Sequence, residues 1–288
     1  MRQFDHLLIT RFNVRVHSDQ SASNDWLRHR LHYFTSVCCP SVEYQTSRNF
    51  KWIVLFDAER DSWFNDKVQG LSQTGLFKPA WVTGVFSQTM IASIAAEYSS
   101  AEWLITSRLD NDDAIARDYI AQVQSHFKGQ LMEFINFQTG LQLTASGRLL
   151  HRLDPSSPFI SLIESRSQNA PKTVYGWPHN EVGRHASLRQ IKSHPMWLQV
   201  IHEKNLGNQA RGIRAEPRLL AEYFDVDATA TPISRTALLV DKVKSSILLS
   251  WRVLQKPSRI FWLSRVIWNK LRPSHSQRSS RHPKISSE

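Results

Sequence analysis

The sequence contains little cysteine. Its 288 residues include only two, Cys38 and Cys39, which are adjacent and lie in an apolar stretch. With no cysteine elsewhere to pair with them, a disulfide framework and a cysteine-rich metal site are both disfavoured. We interpret the two thiols as buried and reduced, as is typical of a cytosolic chain. A chain of this length buries enough apolar surface to fold without cross-links.

Long apolar runs are also missing. No stretch reaches the roughly 18 apolar residues that a transmembrane helix needs. The first residues, 1–5, are polar, and the apolar run after them is too short for the hydrophobic region of a signal peptide. These absences predict a cytoplasmic protein without a leader or a membrane span.

Excess charge is absent from most of the chain. The formal net charge is +11, but residues 237–288 contain 11 Lys/Arg and 2 acidic residues and therefore carry +9 of it. The remaining 236 residues carry only +2. The nearly neutral body argues against a nucleic-acid partner, and the basic charge belongs to the C-terminal segment.

Apolar runs alternate with helical patterns as far as residue 128. The run at 51–57 is continuously apolar and ends on an acid, which is typical of a parallel strand covered on both faces. The alternation predicts an α/β fold with a mixed, mainly parallel sheet flanked by helices. The predicted strands are 6–10, 51–57, 80–85 and 102–109, and the predicted helices are 25–37, 88–98 and 114–127.

The pattern changes after residue 128. Segments 131–137 and 141–153 predict two strands joined as a hairpin, and 169–194 is rich in Pro, Gly and His and predicts a loop. Segment 196–202 fits a short helix or strand. We therefore predict a catalytic domain at 1–230, a basic amphipathic helical segment at 231–272 and a disordered tail at 273–288.

An acidic cluster follows the fourth predicted strand, at Asp110-Asn111-Asp112-Asp113. Three carboxylates within four residues repel each other unless a cation lies among them. Oxygen ligands at the carboxyl end of a strand suit Mg²⁺ or Mn²⁺ together with substrate phosphates. The alternative is an exposed turn whose acids cap a helix beginning near Ala114.

A wider set of residues resembles a known family. The acidic run is similar to the metal-binding motif of GT-A glycosyltransferases, and the chain resembles the bacterial family of putative rhamnosyltransferases over about residues 4–215. The resemblance implies a GT-A-like, Rossmann-like fold. The stretches that carry it are Thr106–Ala114, Thr10–Asn13, Asn49–Trp52 with Phe56-Asp57, Ser157–Phe159, Ser161–Glu164, and Trp197–His202 with Asn205.

The resemblance assigns roles to the acidic cluster. Asp110 would contact the ribose or the metal, and Asp112 and Asp113 would hold Mn²⁺ or Mg²⁺ against the donor diphosphate. Arg108 flanks the cluster and would contact the donor nucleotide. The cation would offset the charge on the departing nucleoside diphosphate.

The strand ends are expected to line the nucleotide pocket, since they do so in the family's fold. Thr10 and Arg11 end the first strand, and Asp57 ends the second. Arg11 could meet a phosphate, and Asp57 could accept from the base or the ribose. A surface ion pair and a turn-capping acid are the alternatives for these two charged residues.

Residues later in the chain complete the predicted site. A late histidine is expected as a metal ligand, either His202 or His179, with His202 preferred because it ends an apolar segment. Arg211 could neutralise diphosphate. An inverting transfer needs a base, and Glu164 is preferred over Asp154 and Glu181 because it ends an apolar run.

The C-terminal segment has two amphipathic patterns separated by Pro257. Basic, aromatic-rich helices of this kind bind anionic membrane surfaces, so 237–271 predicts peripheral association with the inner membrane face. The alternative is a helical pair that packs on the catalytic domain or binds a partner. The apolar faces are Leu239, Val243, Ile247 and Trp251, then Ile260, Leu263, Ile267 and Leu271.

The leading prediction is a metal-dependent glycosyltransferase that moves a sugar, rhamnose by the resemblance, from a nucleoside-diphosphate donor to a polysaccharide or lipid-linked acceptor. A nucleotidyltransferase on a similar sheet is one alternative. That class often has a Gly-rich loop after the first strand, and Arg11-Phe12-Asn13 contains no glycine. A non-enzymatic membrane adaptor is another alternative, and it would not need the acidic cluster.

Overall fold

The computed structural model describes residues 3–16, 20–166, 170–203 and 210–254. These residues form two sheets with helices around them. The strands are β1 (Phe4–Arg11), β2 (Lys51–Asp57), β3 (Lys78–Val82), β4 (Trp103–Arg108), β5 (Ala114–Ile115), β6 (Met132–Phe137), β7 (Thr139–Thr144), β8 (Leu149–Leu153), β9 (Ile160–Ser165), β10 (Ser187–Ile191), β11 (Trp197–Ile201) and β12 (Ile213–Arg214). The helices are α1 (Asn24–Tyr33), α2 (Cys39–Glu43), α3 (Ser62–Ser72), α4 (Gln88–Tyr98), α5 (Tyr119–Ser125), α6 (Arg218–Tyr223) and α7 (Arg235–Leu254).

The larger sheet has seven strands in the order β10-β6-β9-β4-β1-β2-β3. Every strand in it runs in one direction except β9, which is antiparallel to both β4 and β6. This mixed, mainly parallel sheet confirms the predicted α/β fold class. The smaller sheet has the order β12-β8-β7-β11-β5.

The parallel strands are buried because the sheet is covered on both faces. In β2, six of the seven residues are buried, which explains why its sequence is continuously apolar. One layer of the core contains the Phe12 ring, whose centroid lies 5.2 Å from those of Phe34 and Phe56. Aromatic burial of this kind fixes α1 against the end of β1.

The first helix differs from its prediction. Ser23 is the N-cap, and its hydroxyl accepts from the backbone N–H of Trp26. The helix was predicted to end at residue 37, but the chain continues through a π-helical turn at Phe34–Cys38 into α2, which contains Pro40. Proline is tolerated there because it lies in the first turn of α2, where its missing N–H leaves no hydrogen bond unmade.

Two predictions for the middle of the chain are wrong. No helix begins at residue 114: residues 114–115 form β5, and α5 starts only at Tyr119. The hairpin predicted between 131–137 and 141–153 also does not form, since β6 pairs with β9 and β10 instead. The hairpin lies within the second segment, where β7 and β8 meet across a turn at Gly147. Helix α3 was not predicted.

The chain divides into two compact units, Met1–Lys242 and Val243–Glu288. The boundary predicted at residue 230 stays a prediction. The predicted disordered tail at 273–288 and the second amphipathic pattern lie outside the described residues. None of the helices in the described part of the chain is long and apolar enough to cross a bilayer.

Candidate active site

The carboxyl ends of β1 and β4 lie side by side at one edge of the larger sheet. The two strands are parallel, with Ile9 opposite Arg108. Arg11 and Asp110 therefore both follow at this edge, which is where open α/β sheets bind ligands. The edge brings together residues about 100 positions apart in sequence.

Asp110 forms a forked ion pair with Arg108. Its two carboxylate oxygens accept from Arg108 Nε at 3.1 Å and Nη2 at 2.9 Å. Burial alone would raise the pKa of Asp110, but Arg108, together with Arg11 and Arg30, holds it below the ordinary value. The side chain is 32% exposed, so Asp110 presents an ionised carboxylate that a ligand can reach.

Asp112 is buried and contacts two groups through the same oxygen. Arg30 on α1 forms an ion pair with its Oδ2, and His202 Nε2 lies 3.0 Å from that atom. Arg30 also donates to Asn111 Oδ1 at 3.0 Å, and Asn111 in turn donates to the carbonyl of Phe12. The guanidinium therefore compensates for the negative charge that the neighbouring acids place in this buried position.

Asp113 points away from this ion pair and anchors β11. It accepts from the backbone N–H of Val200 at 2.9 Å and is 2% exposed. Burial, with Asp112 and Asp110 nearby, raises its pKa well above the ordinary value. This placement favours a structural role, and the metal-ligand role of Asp113 stays a prediction.

His202 reaches Asp112 through strand pairing in the smaller sheet. The short strand β5, which begins just after Asp113, is antiparallel to β11, with Ile115 opposite Trp197. This pairing places the residue after β11 beside the acidic cluster. The His202 ring is also stacked on Tyr33 with centroids 4.5 Å apart, and its Nδ1 lies 3.3 Å from His29 Nε2.

Arg11 packs against two aromatic rings that also contact each other. Its guanidinium carbon is 4.8 Å from the ring centroid of Tyr175 and 5.3 Å from that of Phe86. The Tyr175 hydroxyl donates to the carbonyl of Ile9, and Arg108 lies 5.7 Å from the same ring. Two guanidinium groups thus share one aromatic residue that local sequence patterns did not single out.

Thr10 and Asp57 are more deeply buried than a ligand contact requires. Thr10 is 0% exposed, and its hydroxyl accepts from Trp52 Nε1 at 2.9 Å. Asp57 is 1% exposed, and its carboxylate accepts from Arg15 Nε at 2.8 Å and from the N–H of Glu59. Both placements favour structural roles, and the predicted contacts with a nucleotide stay predictions.

The placement of Glu164 favours a structural role, and its role as the base stays a prediction. Because β9 is antiparallel to β4, Glu164 lies opposite Leu104 at the other end of the sheet. Leu104 precedes Asp110 by six residues, or about 20 Å of strand. The Glu164 carboxylate instead accepts from the backbone N–H groups of Lys172 and Thr173, at 2.8 and 2.9 Å. Burial raises the pKa of Glu164. Its surroundings are those of a buried structural acid.

Arg211 is exposed at the smaller sheet. Its backbone N–H donates to Gln142 Oε1 at 2.7 Å, and Gln142 donates in turn to Gln199 on the neighbouring strand. The structure thus places the backbone of Arg211 against β7 rather than among the acidic cluster. Its predicted contact with diphosphate stays a prediction.

The donor atoms of Asp112 and His202 suit a cation whose coordination shell is completed by a bound ligand. Among the described residues, no three His, Cys, Asp or Glu side chains converge as a metal site. Asp112 and His202 alone supply one carboxylate oxygen and one imidazole nitrogen, 3.0 Å apart. Cations that act on phosphates commonly take only one or two protein ligands and complete their shell with phosphate oxygens and water. The two residues fit such a partial site.

Comparison with solved structures finds several proteins that match this chain at low sequence identity. S. aureus TarS residues 1–349 in complex with UDP-GlcNAc matches at 10% identity and a TM-score of 0.44, covering 70% of this chain and 60% of that one. HddC from Yersinia pseudotuberculosis matches at 10% identity and a TM-score of 0.36, covering 68% and 93%. The chain thus spans about 60% of the matched TarS fragment. No curated protein matches the chain significantly.

The larger sheet is mainly parallel, and the acidic run follows the carboxyl end of β4. Residues 10–214 match the family described as putative rhamnosyl transferase. The match covers more than half of the chain, and this chain belongs to that family.

Proposed function

We propose that the protein transfers a sugar, rhamnose by its family, from a nucleoside-diphosphate donor to a polysaccharide or lipid-linked acceptor, with the help of Mn²⁺ or Mg²⁺. The observation that carries the proposal is the contact between Asp112 and His202 at 3.0 Å, which joins the acidic run to a histidine 90 residues later. A buried carboxylate and imidazole at a strand end are suited to metal and phosphate chemistry.

The donor diphosphate would bind beside Asp110. Arg11 and Arg108 bring two guanidinium groups to this edge against the single Asp110 carboxylate, so the local charge favours an anion. Asp110 can accept from ribose hydroxyl groups, because an ionised carboxylate only accepts hydrogen bonds. The Tyr175 ring fixes both arginines from one side.

The cation would be held by Asp112 and His202. It would supply neutralisation of the charge that develops on the leaving nucleoside diphosphate. In the structure His202 donates its Nε2 proton to Asp112, since a carboxylate can only accept, and this proton must leave when a metal binds. The imidazole ligand favours Mn²⁺ over Mg²⁺, which prefers oxygen donors throughout its shell.

A ligand panel tests the proposal. Nucleoside diphosphates and their sugar conjugates, dTDP-rhamnose and UDP-N-acetylglucosamine among them, are added to the full chain with Mn²⁺, Mg²⁺ or EDTA, and the unfolding temperature is measured. Binding to the folded state alone raises stability by about 2.7 kcal/mol at 100 times Kd. We expect protection that Mn²⁺ strengthens and EDTA abolishes.

The same panel separates the alternatives. Stronger protection by nucleoside triphosphates than by diphosphate sugars would favour a nucleotidyltransferase. Protection that persists unchanged in EDTA would remove the metal from the proposal and leave Arg30 as the cation beside Asp112. A chain that no nucleotide protects would contradict the glycosyl-donor proposal as a whole.

We further propose that the C-terminal helix attaches the enzyme to an anionic membrane. Leu239, Val243 and Ile247 recur at helical spacing on α7 and are 51–64% exposed. Lys242 and Lys244 lie among them. An apolar stripe flanked by lysines is typical of a helix that lies in the membrane interface. The remainder of the predicted membrane segment, from residue 255 to 271, lies outside the described residues.

Vesicle sedimentation tests this attachment. In the full chain, replacing Leu239, Val243 and Ile247 together by serine is expected to weaken binding to vesicles containing phosphatidylglycerol at least tenfold, because three exposed apolar side chains are lost. Wild-type binding should fall with added salt and on vesicles of phosphatidylcholine alone. Equal sedimentation of the variant and the wild type would reject the role of α7.

A further inference from the structure

His179 lies in a loop that two aromatic contacts hold in place. Trp177, two residues before His179, is stacked on His185 with ring centroids 4.9 Å apart and packs edge-on against the Phe134 ring. The carbonyl of Pro178 accepts from the N–H of Glu181 at 2.8 Å, which closes a turn around His179. The side chain therefore projects from a constrained turn.

The loop brings His179 to the edge of the sheet that contains the acidic cluster. The imidazole Nδ1 is 2.7 Å from the carbonyl oxygen of Ser156, in the segment just before β9. Strand β9 starts at this edge, since Ser161 is opposite Ser107 near the end of β4. The charges of Arg108 and Asp110 both act on the imidazole, which therefore shares their surroundings.

The hydrogen bond to Ser156 determines which ring nitrogen is basic. A carbonyl oxygen can only accept, so in the neutral ring Nδ1 carries the proton and Nε2 carries the lone pair. Among the described residues, no hydrogen bond reaches Nε2. The side chain is only half-buried, so an incoming hydroxyl can approach this nitrogen.

The surroundings keep the imidazole neutral. Burial is the largest cause of the lowered pKa of His179, and Arg108 lowers it further, while the Ser156 carbonyl, Asp154 and Asp110 act in the opposite direction. The net shift is downward from 6.5. The ring is therefore unprotonated, and able to accept a proton, at neutral pH.

Two carboxylates at this edge, Asp154 and Asp110, are already engaged. Asp154 accepts from Arg152 Nε and Nη2 through Oδ2 and from the N–H of Ser156 through Oδ1. Asp110 is paired with Arg108. Glu164, the base preferred from the sequence, lies at the opposite end of the sheet.

We infer that His179 is the general base of the transfer reaction, accepting the proton of the acceptor hydroxyl at Nε2. The inference rests on the proposed function and specifies an inverting reaction. As the acceptor oxygen bonds to the anomeric carbon, its proton passes to Nε2, and the bond from that carbon to the diphosphate oxygen breaks. The electron pair leaves with the nucleoside diphosphate, and the imidazolium later releases its proton to solvent.

Two measurements on the full chain test the assignment. The first is the tautomer of His179 by nitrogen-15 NMR, assigned by comparison with His179→Gln, and the proton is expected on Nδ1 at pH 7.

The second measurement is the release of dTDP from dTDP-rhamnose with Mn²⁺ and with water as the acceptor, because water also needs a base. His179→Gln is expected to lower kcat about 100-fold or more with KM nearly unchanged. Wild-type kcat is expected to decline on the acid side, at a pH below the ordinary imidazole pKa because the pKa of His179 is lowered, and this decline is expected to vanish in the variant.

A control variant and a binding measurement separate the outcomes. His126→Gln removes another histidine whose pKa burial lowers, at the end of α5, and should turn over like the wild type. Thermal protection by dTDP should be equal in His179→Gln and the wild type. A proton on Nε2, turnover in His179→Gln within threefold of the wild type, or loss of dTDP protection in that variant would each overturn the assignment. Absence of protection by every nucleoside diphosphate in the wild type would instead count against the donor proposal, and protection by a different one would make it the probe in place of dTDP.

Discussion

Replacing Asp112 by asparagine is expected to lower turnover about 10³-fold. The substitution keeps the size of the side chain but removes the negative charge that faces both Arg30 and His202. Loss of several kcal/mol of charge stabilisation in the transition state corresponds to a rate loss of this size. The affinity for Mn²⁺ in the presence of dTDP, measured by titration calorimetry, should fall in parallel.

Stability must be measured with the same variant. Arg30 is only 9% exposed in the ion pair, and removing one partner of a buried pair typically costs about 3–5 kcal/mol. Arg30 keeps its hydrogen bond to Asn111, which places the expected cost at about 3 kcal/mol, the lower end of that range. Denaturant unfolding therefore has to show that the variant is folded under the assay conditions before its kinetics are interpreted.

A second aspartate–histidine pair provides the control. Asp118 Oδ2 lies 3.1 Å from His194 Nε2, but this pair is about 30% exposed and lies outside the acidic cluster. Asp118→Asn should retain Mn²⁺-dependent protection by dTDP and wild-type turnover. If Asp112→Asn bound Mn²⁺ and dTDP as tightly as the wild type, the assignment of Asp112 to the metal would be wrong.

Replacing Asp57 by asparagine is expected to lower the free energy of unfolding by about 3–5 kcal/mol without abolishing nucleotide binding. Asp57 and Arg15 form a buried ion pair, with side chains 1% and 5% exposed. The variant removes the buried carboxylate that accepts from both Nε and Nη2 of Arg15, while Ser21 and the exposed Glu59 still contact the guanidinium. Removing one partner of a buried ion pair is among the most costly single changes.

The control for Asp57→Asn is a substitution in an ion pair on the protein surface. Glu216→Gln breaks the contact with Arg218, whose side chain is 76% exposed, and should change stability by less than about 0.5 kcal/mol. Urea unfolding of the three proteins gives the free energies, and thermal protection by dTDP gives the binding. If Asp57→Asn unfolded like the wild type but lost dTDP protection, Asp57 would be the nucleotide contact that the strand-end argument predicted.

Local sequence patterns located the edge of the sheet at which the site lies. The apolar runs at 51–57 and 102–109 correspond to β2 and β4, and the acids that follow β4 stand at its carboxyl end. His202, which was preferred over His179 as the metal ligand because it ends an apolar segment, contacts Asp112 in the structure. Its role as a metal ligand stays a prediction.

Other residues of the site could not be identified from local sequence patterns. Arg30 is one basic residue in an amphipathic helix, and Tyr175 lies in a stretch that the sequence predicts as loop. Their partners, Asp112 and Arg11, are 82 and 164 positions away. A single sequence carries no record of such long-range pairs, because propensity and periodicity describe only neighbouring residues.

The sequence by itself determined that the apolar runs up to residue 109 are buried strands, that they form a mainly parallel sheet, and that carboxylates follow one of them. Only the tertiary structure decided the direction and the partner of each later strand. The antiparallel course of β9 carries Glu164 away from the site, and the pairing of β5 with β11 brings His202 to Asp112. The physical reason is that an apolar run indicates a buried strand, and the strand is equally buried whether it runs parallel or antiparallel to its neighbours. Direction and register are set by backbone hydrogen bonds to strands that lie far away in the sequence.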